Sequence, residues 1–245
     1  MGNVVLITGA ARRLGAATAE YFHQRGFRVL VHYQHSETDA EALVARLNQR
    51  RANSAHALQA NLLNNKETEA LAQAASNHWG QLDVLINNAS QFYPTPMGQA
   101  TEQHWHVLMG SNLKAPLLLT QALLPVLRKS PCASIVNMVD LYASHTLPEH
   151  TIYCAAKAGL AALTRNLARD LGPHVRVNGV APGAILWPSA GQDNADSIVA
   201  ATPLKRCGTA EEIAAAVYWL ATEATFITGH ILPVDGGRGL VLAGN

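Results

Sequence analysis

The sequence predicts a doubly wound α/β fold, a parallel sheet covered by helices on both faces, on three observations. Short apolar runs alternate with longer Ala- and Leu-rich segments of helical period along the chain. The apolar runs lack the polar alternation of half-exposed strands, as expected of strands buried on both faces. The first run leads straight into a glycine-containing turn, TGAARRLG, that opens a helix.

Each expected element has its own reason. Val4–Thr8 (VVLIT) and Arg28–Tyr33 (RVLVHY) are short, β-branched runs and read as the first two strands. DAEALVARLNQRR then has the spacing of a helix, and Ala55–Ala60 (AHALQA) is the third strand. Val84–Asn87, Ser134–Met138, Arg176–Val180 and His230–Val234 complete a set of strands separated by crossover segments. TAEEIAAAVYWLA and the stretch running through AGLAALTRNLARDL suit helices. Residues 184–209, with Pro188 and Pro203, read as a loop or lid over one end of a single domain spanning residues 1–245. Ligands on such a sheet gather at the carboxyl ends of the strands.

Composition narrows the function. With 49% hydrophobic and 14% charged residues the chain is compact rather than disordered, and a net charge of +1 gives no basis for binding nucleic acid or an anionic membrane. Cys132, Cys154 and Cys207 have no paired metal-ligand spacing and read as thiols of a reducing compartment. The N-terminus lacks a basic segment followed by a long apolar run, Gly2 lacks the downstream Ser or Thr of an acylation signal, and no apolar run is expected to span a bilayer. A soluble cytoplasmic protein is the expectation. His104 and His106, two apart on a helix, point in different directions, and no metal site is expected among the eleven histidines.

Gly9 permits the tight turn and Gly15 the close approach of helix and strand, so that backbone N–H groups at the helix start can hold a pyrophosphate. Arg12 and Arg13 would repel each other there without nearby anions. The second strand runs into HYQHS, His32 to Ser36, with no acid for a ribose 2′-hydroxyl. A hydroxyl, an imidazole and Arg12 suit a 2′-phosphate instead, favouring NADPH over NADH; solvated side chains are the plainer reading of either Arg alone.

Tyr153 and Lys157 fall four apart, on one helix face, with Asp140 thirteen residues before the Tyr. A free phenol titrates near ~10, and an ammonium beside it is expected to lower that value and free the proton. Asp140 can orient Tyr153, or simply cap the turn after a strand.

With these residues, NNAS (Asn87 to Ser90), Asn112 in GSNLKAP, Pro182-Gly183 and VDGG (Val234 to Gly237), the chain resembles the short-chain dehydrogenase/reductase family over its whole length. Ordinary members carry Ser at the position of Asp140 and Gly at that of Arg13. Both departures, together with HYQHS, LNQRRANSAHALQANL, NNASQFYPTPM and NMVD before TIYCAAK, are similar to the pteridine reductase branch. The resemblance implies a Rossmann-type homotetramer reducing pterins, and dihydrofolate-like substrates, with NADPH. It implies nucleotide contacts from Gly9, Arg12, Arg13, Leu14, Gly15, His32, Tyr33, His35, Ser36, Asn61, Leu62, Asn88, Ala89, Ser90, Tyr153, Lys157, Pro182 and Gly183. Phe92 holds the position of a ring that stacks on the pterin, Arg13 and Ser90 those of polar contacts to it, and Asp140 and Tyr153 those of proton delivery. Lys157 is implied at the nicotinamide ribose, and Asn112 at the helix and at a water leading to Lys157. Trp187 either lines the substrate entrance or packs under the loop. Asn61 stands where an Asp usually receives the adenine amine, and His35 where an Arg meets the 2′-phosphate. Reducing a C=N bond puts a proton on nitrogen, whereas a carbonyl develops an oxyanion that a carboxylate would repel. Two other readings stay open, a reductase of another small substrate (a 3-oxoacyl thioester or a quinone) and a non-catalytic NADP-binding regulator.

Overall fold

The computed structural model describes residues 2–185 and 195–242. All seven expected strands are present: β1 (Val4–Ile7), β2 (Arg28–Tyr33), β3 (Ala55–Gln59), β4 (Val84–Asn87), β5 (Ser134–Met138), β6 (Arg176–Pro182) and β7 (Ile231–Val234). They form one parallel sheet in the order β3-β2-β1-β4-β5-β6-β7, so the order reverses between β1 and β4. The helices are α1 (Arg13–Gln24), α2 (Glu37–Arg50), α3 (Asn65–His78), α4 (Glu102–Met109), α5 (Ala115–Leu127), α6 (Thr151–Leu171), α7 (Ala195–Ala201), α8 (Ala210–Thr222) and α9 (Arg238–Leu242). A five-residue π-helical segment, Gly110–Lys114, joins α4 to α5, and a 3₁₀ turn, Leu141–Ala143, follows β5.

The missing polar alternation of the strands has a direct cause. On β1, Val5 and Ile7 point into one core with Phe22 of α1, Leu43 of α2 and Val217 of α8, while Val4 and Leu6 point into another with Leu71 of α3, Leu119 of α5 and Leu171 of α6. Both faces are covered, so both sets must be apolar. Each fully buried Leu, Ile or Phe there stabilises the fold by roughly 1.5–3 kcal/mol. α4 and α8 start on Thr capping boxes, Thr101 with His104 and Thr209 with Glu212. His104, a residue of uncertain purpose in the sequence, is thus a capping group.

Two expectations change. The helix running from Glu102 to Leu127 is, by length and composition, apolar enough to cross a bilayer, although no apolar run was expected to reach that length. Here it is a core helix, with Leu108, Leu119, Leu123 and Leu127 fully buried and α3 and α6 packed against it. The stretch 184–209 is not all loop, because Ala195–Ala201 is helical. Trp187 lies outside the described residues.

Candidate active site

A cavity of about 1040 Å³ opens at the carboxyl ends of the strands, on the crevice where the sheet order reverses. Every residue expected to contact nucleotide lines it, and so do Phe92 and Asp140. Asn112 does not line the cavity but supports its wall.

The nucleotide end is built by the first turn. Gly9 has φ +61°, a left-handed conformation that a side chain would strain. A Cβ on Gly15 would collide with the carbonyl oxygen of Gly9 and stand 2.8 Å from both Ala10 Cα and Asn88 Nδ2. Asn88 reaches back with Nδ2 to the carbonyls of Thr8 (2.8 Å) and Gly9 (3.0 Å), locking β4 to the turn. Without side chains at these two glycines the turn closes tightly against itself, Asn88 and Ala89, and the first N–H groups of α1 at the cavity edge suit a pyrophosphate. These residues fit a dinucleotide, which when bound supplies the hydride. Gly183, at the far side, is equally constrained, since a Cβ there would lie 2.6 Å from Asp235 Cα.

The polar residues of this end are arranged differently from expectation. His32 is not a phosphate ligand. Its ring is 2% exposed, Nδ1 accepts the Gly9 N–H at 3.0 Å, and Nε2 therefore donates to the Ala60 carbonyl at 3.1 Å. Burial holds its pKa down to about 4, so it is a neutral pin between the turn and β3. The folded value lies below the unfolded one, so the native state refuses a proton that the unfolded chain takes up between pH ~6.5 and about 4. Stability is expected to fall on acidification through that window, by about 2 kcal/mol between pH ~7 and pH ~5. Urea unfolding of wild type and His32→Gln at both pH values checks this, since the variant is expected to lose that part of the acid sensitivity.

Arg12 is bonded to Asp39 of α2, which supplies the anion that relieves its repulsion with Arg13. Ser36 precedes α2 without a side-chain capping bond, and His35 beside it is exposed. Asn61 Oδ1 accepts the Leu63 N–H at 3.0 Å, which orients the amide and leaves its second lone pair for an adenine amine. Tyr33 reaches Glu37 at 3.4 Å, and Arg13, Leu14, Leu62, Ala89 and Pro182 complete the wall.

At the other end β5 delivers Asp140 and α6 delivers Tyr153 and Lys157. A buried chain ties these elements together: Asn87 Nδ2 donates to Asn137 Oδ1 (2.8 Å) and Asn137 Nδ2 to Thr164 Oγ1 (2.9 Å). Asp140 uses its two oxygens separately. Oδ1 accepts the Tyr142 N–H at 2.9 Å, and Oδ2 accepts the Tyr153 hydroxyl at 2.6 Å. The turn-capping role and the contact with the phenol thus coexist.

Tyr153, 4% exposed, is not acidified as the sequence suggested. Burial first, then the charge and hydrogen bond of Asp140, push its pKa up. Lys157 Nζ lies 5.7 Å from the Tyr153 ring centroid and donates to the Met138 carbonyl at 2.8 Å. At 3% exposure it is itself held down to about 8 by burial, against the pull of Asp140. The phenol is therefore a neutral donor, and the lysine a cation whose charge is held under strain of desolvation.

Asn112 sits in the π-helical segment. Its Nδ2 donates to the carbonyls of Leu108 and Gln91 (both 2.9 Å), and its Oδ1 accepts the Ser90 hydroxyl at 2.6 Å. It fixes the loop after β4, and with it Phe92. Phe92 is 49% exposed, stacks on His150 at 4.6 Å and meets Tyr153 edge-on at 4.8 Å. Sequence reading missed His150, Tyr142 and Arg238, which also line this end. For His150 a signal existed, since it stands immediately before the helix that carries Tyr153, three residues from it in sequence.

Comparison with known proteins agrees with this geometry. A family model described as Enoyl-(Acyl carrier protein) reductase matches residues 9–238. Pteridine reductase 1 of Leishmania tarentolae is 38% identical, over 98% of this chain and 97% of the relative. The 3-oxoacyl-(acyl-carrier-protein) reductases of Synechocystis sp. and Staphylococcus epidermidis are 35% and 32% identical, over 96% and 97% of this chain and 96% and 99% of theirs. With a nucleotide turn, a Tyr-Lys pair and near full-length matches to reductases of two specificities, the chain belongs to the short-chain dehydrogenase/reductase family of NAD(P)-dependent oxidoreductases.

Proposed function

We propose that the protein is an NADPH-dependent pteridine reductase acting on pterins and dihydrofolate. The observation that carries this reading is the 2.6 Å bond from the Tyr153 hydroxyl to Asp140 Oδ2. A carbonyl substrate would gather negative charge beside that carboxylate, which opposes it. A ring nitrogen that must receive a proton is served by the same pair: Asp140 holds the Tyr153 hydroxyl in place, and its one proton turns from Oδ2 to the nitrogen, leaving a phenolate whose charge Lys157 offsets. Phe92, half-exposed and backed by His150, offers an aromatic face to a flat heterocycle. Similarity to Pteridine reductase 1 favours the same substrate class.

NADPH is preferred here because no acid ends β2, while Ser36 and the Arg12 side chain border that corner of the cavity. His35 stands in the same corner, where a guanidinium would hold a 2′-phosphate more firmly. A cytoplasmic homotetramer, one domain per subunit, completes the proposal.

The second reading, a 3-oxoacyl thioester reductase, is favoured by the description of the matching family model and by the bacterial relatives. One experiment separates the two. NADPH consumption is followed by absorbance with biopterin, dihydrobiopterin, dihydrofolate and a 3-oxoacyl thioester, for wild type and Asp140→Ser. The variant is expected to lose roughly 100-fold in kcat/KM on pterins. Turnover of pterins unchanged by Asp140→Ser removes Asp140 from the chemistry, and turnover of the thioester alone in wild type establishes the second reading.

A further inference from the structure

We propose that Arg238, resting on Tyr142 at the substrate end of the cavity, anchors a carboxylate on the arm of the substrate, so that folate-type pterins are selected over pterins with neutral side chains. This rests on the pteridine reductase reading above and adds to it a residue that sets specificity.

The argument starts from charge. Arg12 stands at the nucleotide end beside Asp39, and Lys157 is buried on a carbonyl. Arg238 lines the same cavity, half-buried, yet among the described residues its guanidinium has one hydrogen bond, from Nη2 to the Tyr142 hydroxyl oxygen at 3.4 Å, and no carboxylate within 4 Å. That contact is at the long limit of a hydrogen bond. A guanidinium in a cavity wall with a single weak neutral acceptor retains most of its fork of donors for a ligand, and the fork matches a carboxylate.

The backbone holds it there. Asp235 spends both oxygens on backbone N–H groups, Oδ1 on Gly237 (2.9 Å) and Oδ2 on Gly239 (2.7 Å), rather than on the guanidinium. Gly236 and Gly237 have φ of +64° and +85°, and a Cβ on Gly237 would meet Pro203 Cγ at 2.9 Å. The chain between β7 and α9 is thereby bent so that Arg238 faces the cavity. Tyr142 links it to the reacting end, because the Tyr142 N–H is bonded to Asp140. A pterin ring seated at Phe92 and Asp140 would therefore send its arm past Tyr142 towards Arg238.

The test compares wild type, Arg238→Gln and Arg238→Lys with NADPH on dihydrofolate, whose arm ends in carboxylates, and dihydrobiopterin, whose arm is neutral. The ratio of kcat/KM for dihydrofolate over dihydrobiopterin is expected to fall about tenfold in Arg238→Gln, through KM. Arg238→Lys should recover part of that ratio, and added salt should erode it in wild type. A ratio that stays at the wild-type value in Arg238→Gln, or equal losses on both substrates, overturns the anchor while leaving the pterin reading intact. A wild-type enzyme that reduces neither pterin overturns both.

Discussion

Tyr153→Phe is expected to lower kcat for pterin reduction by about a thousandfold, within the range that a positioned proton donor contributes. The variant keeps the ring that packs edge-on against Phe92 and removes only the hydroxyl bonded to Asp140. Because burial and Asp140 keep the phenol protonated, its proton is available across the neutral range. Reduction of a C=N bond leaves charge on nitrogen, a base far stronger than a phenolate, so even a phenol of raised pKa delivers its proton downhill. The phenolate left behind faces a carboxylate, and Lys157 near the ring is the charge that offsets this pairing. Steady-state rates with nucleotide affinity measured alongside distinguish a lost proton from a lost fold. Retention of most of the activity would place the donor elsewhere.

Gly15→Ala is expected to weaken nucleotide binding by about a hundredfold or more, by displacing the first turn of α1. The added Cβ meets backbone on one side and Asn88 on the other, none of which is the loose end of a flexible chain. Overpacking of this kind costs roughly 1–3 kcal/mol of stability, about 5 °C in Tm for a chain of this size. Fluorescence titration with NADPH and thermal melting check the two parts. An unchanged affinity would mean that the turn is not the pyrophosphate cradle.

The fold was legible because burial on both faces leaves a plain mark, and the seven strands matched with shifts of at most two residues at their ends. The cavity wall was legible for a different reason. Gly9, Gly15 and Gly183 are demanded by backbone approach, which local sequence records. What stayed hidden depends on contacts between distant segments. His32 is a neutral pin because Gly9 and Ala60 converge on it, and nothing in HYQHS announces that. The same holds for Arg12, whose partner Asp39 lies on the next helix, and for Asn61, whose amide is oriented by a bond within its own loop. The sign of the Tyr153 shift was misread because spacing gives neighbours but not desolvation.

The π-helical segment that carries Asn112 divides one long helix into two pieces with separate angular phase. Upstream and downstream turns therefore answer to different neighbours, and a repacking mutation in either need not re-aim the amide that props up the Phe92 loop. Deleting a single residue within 110–114 would restore one continuous phase and swing Asn112 about 100° around the axis. The irregularity thus acts as a joint that insulates the platform under the substrate from drift in the interior.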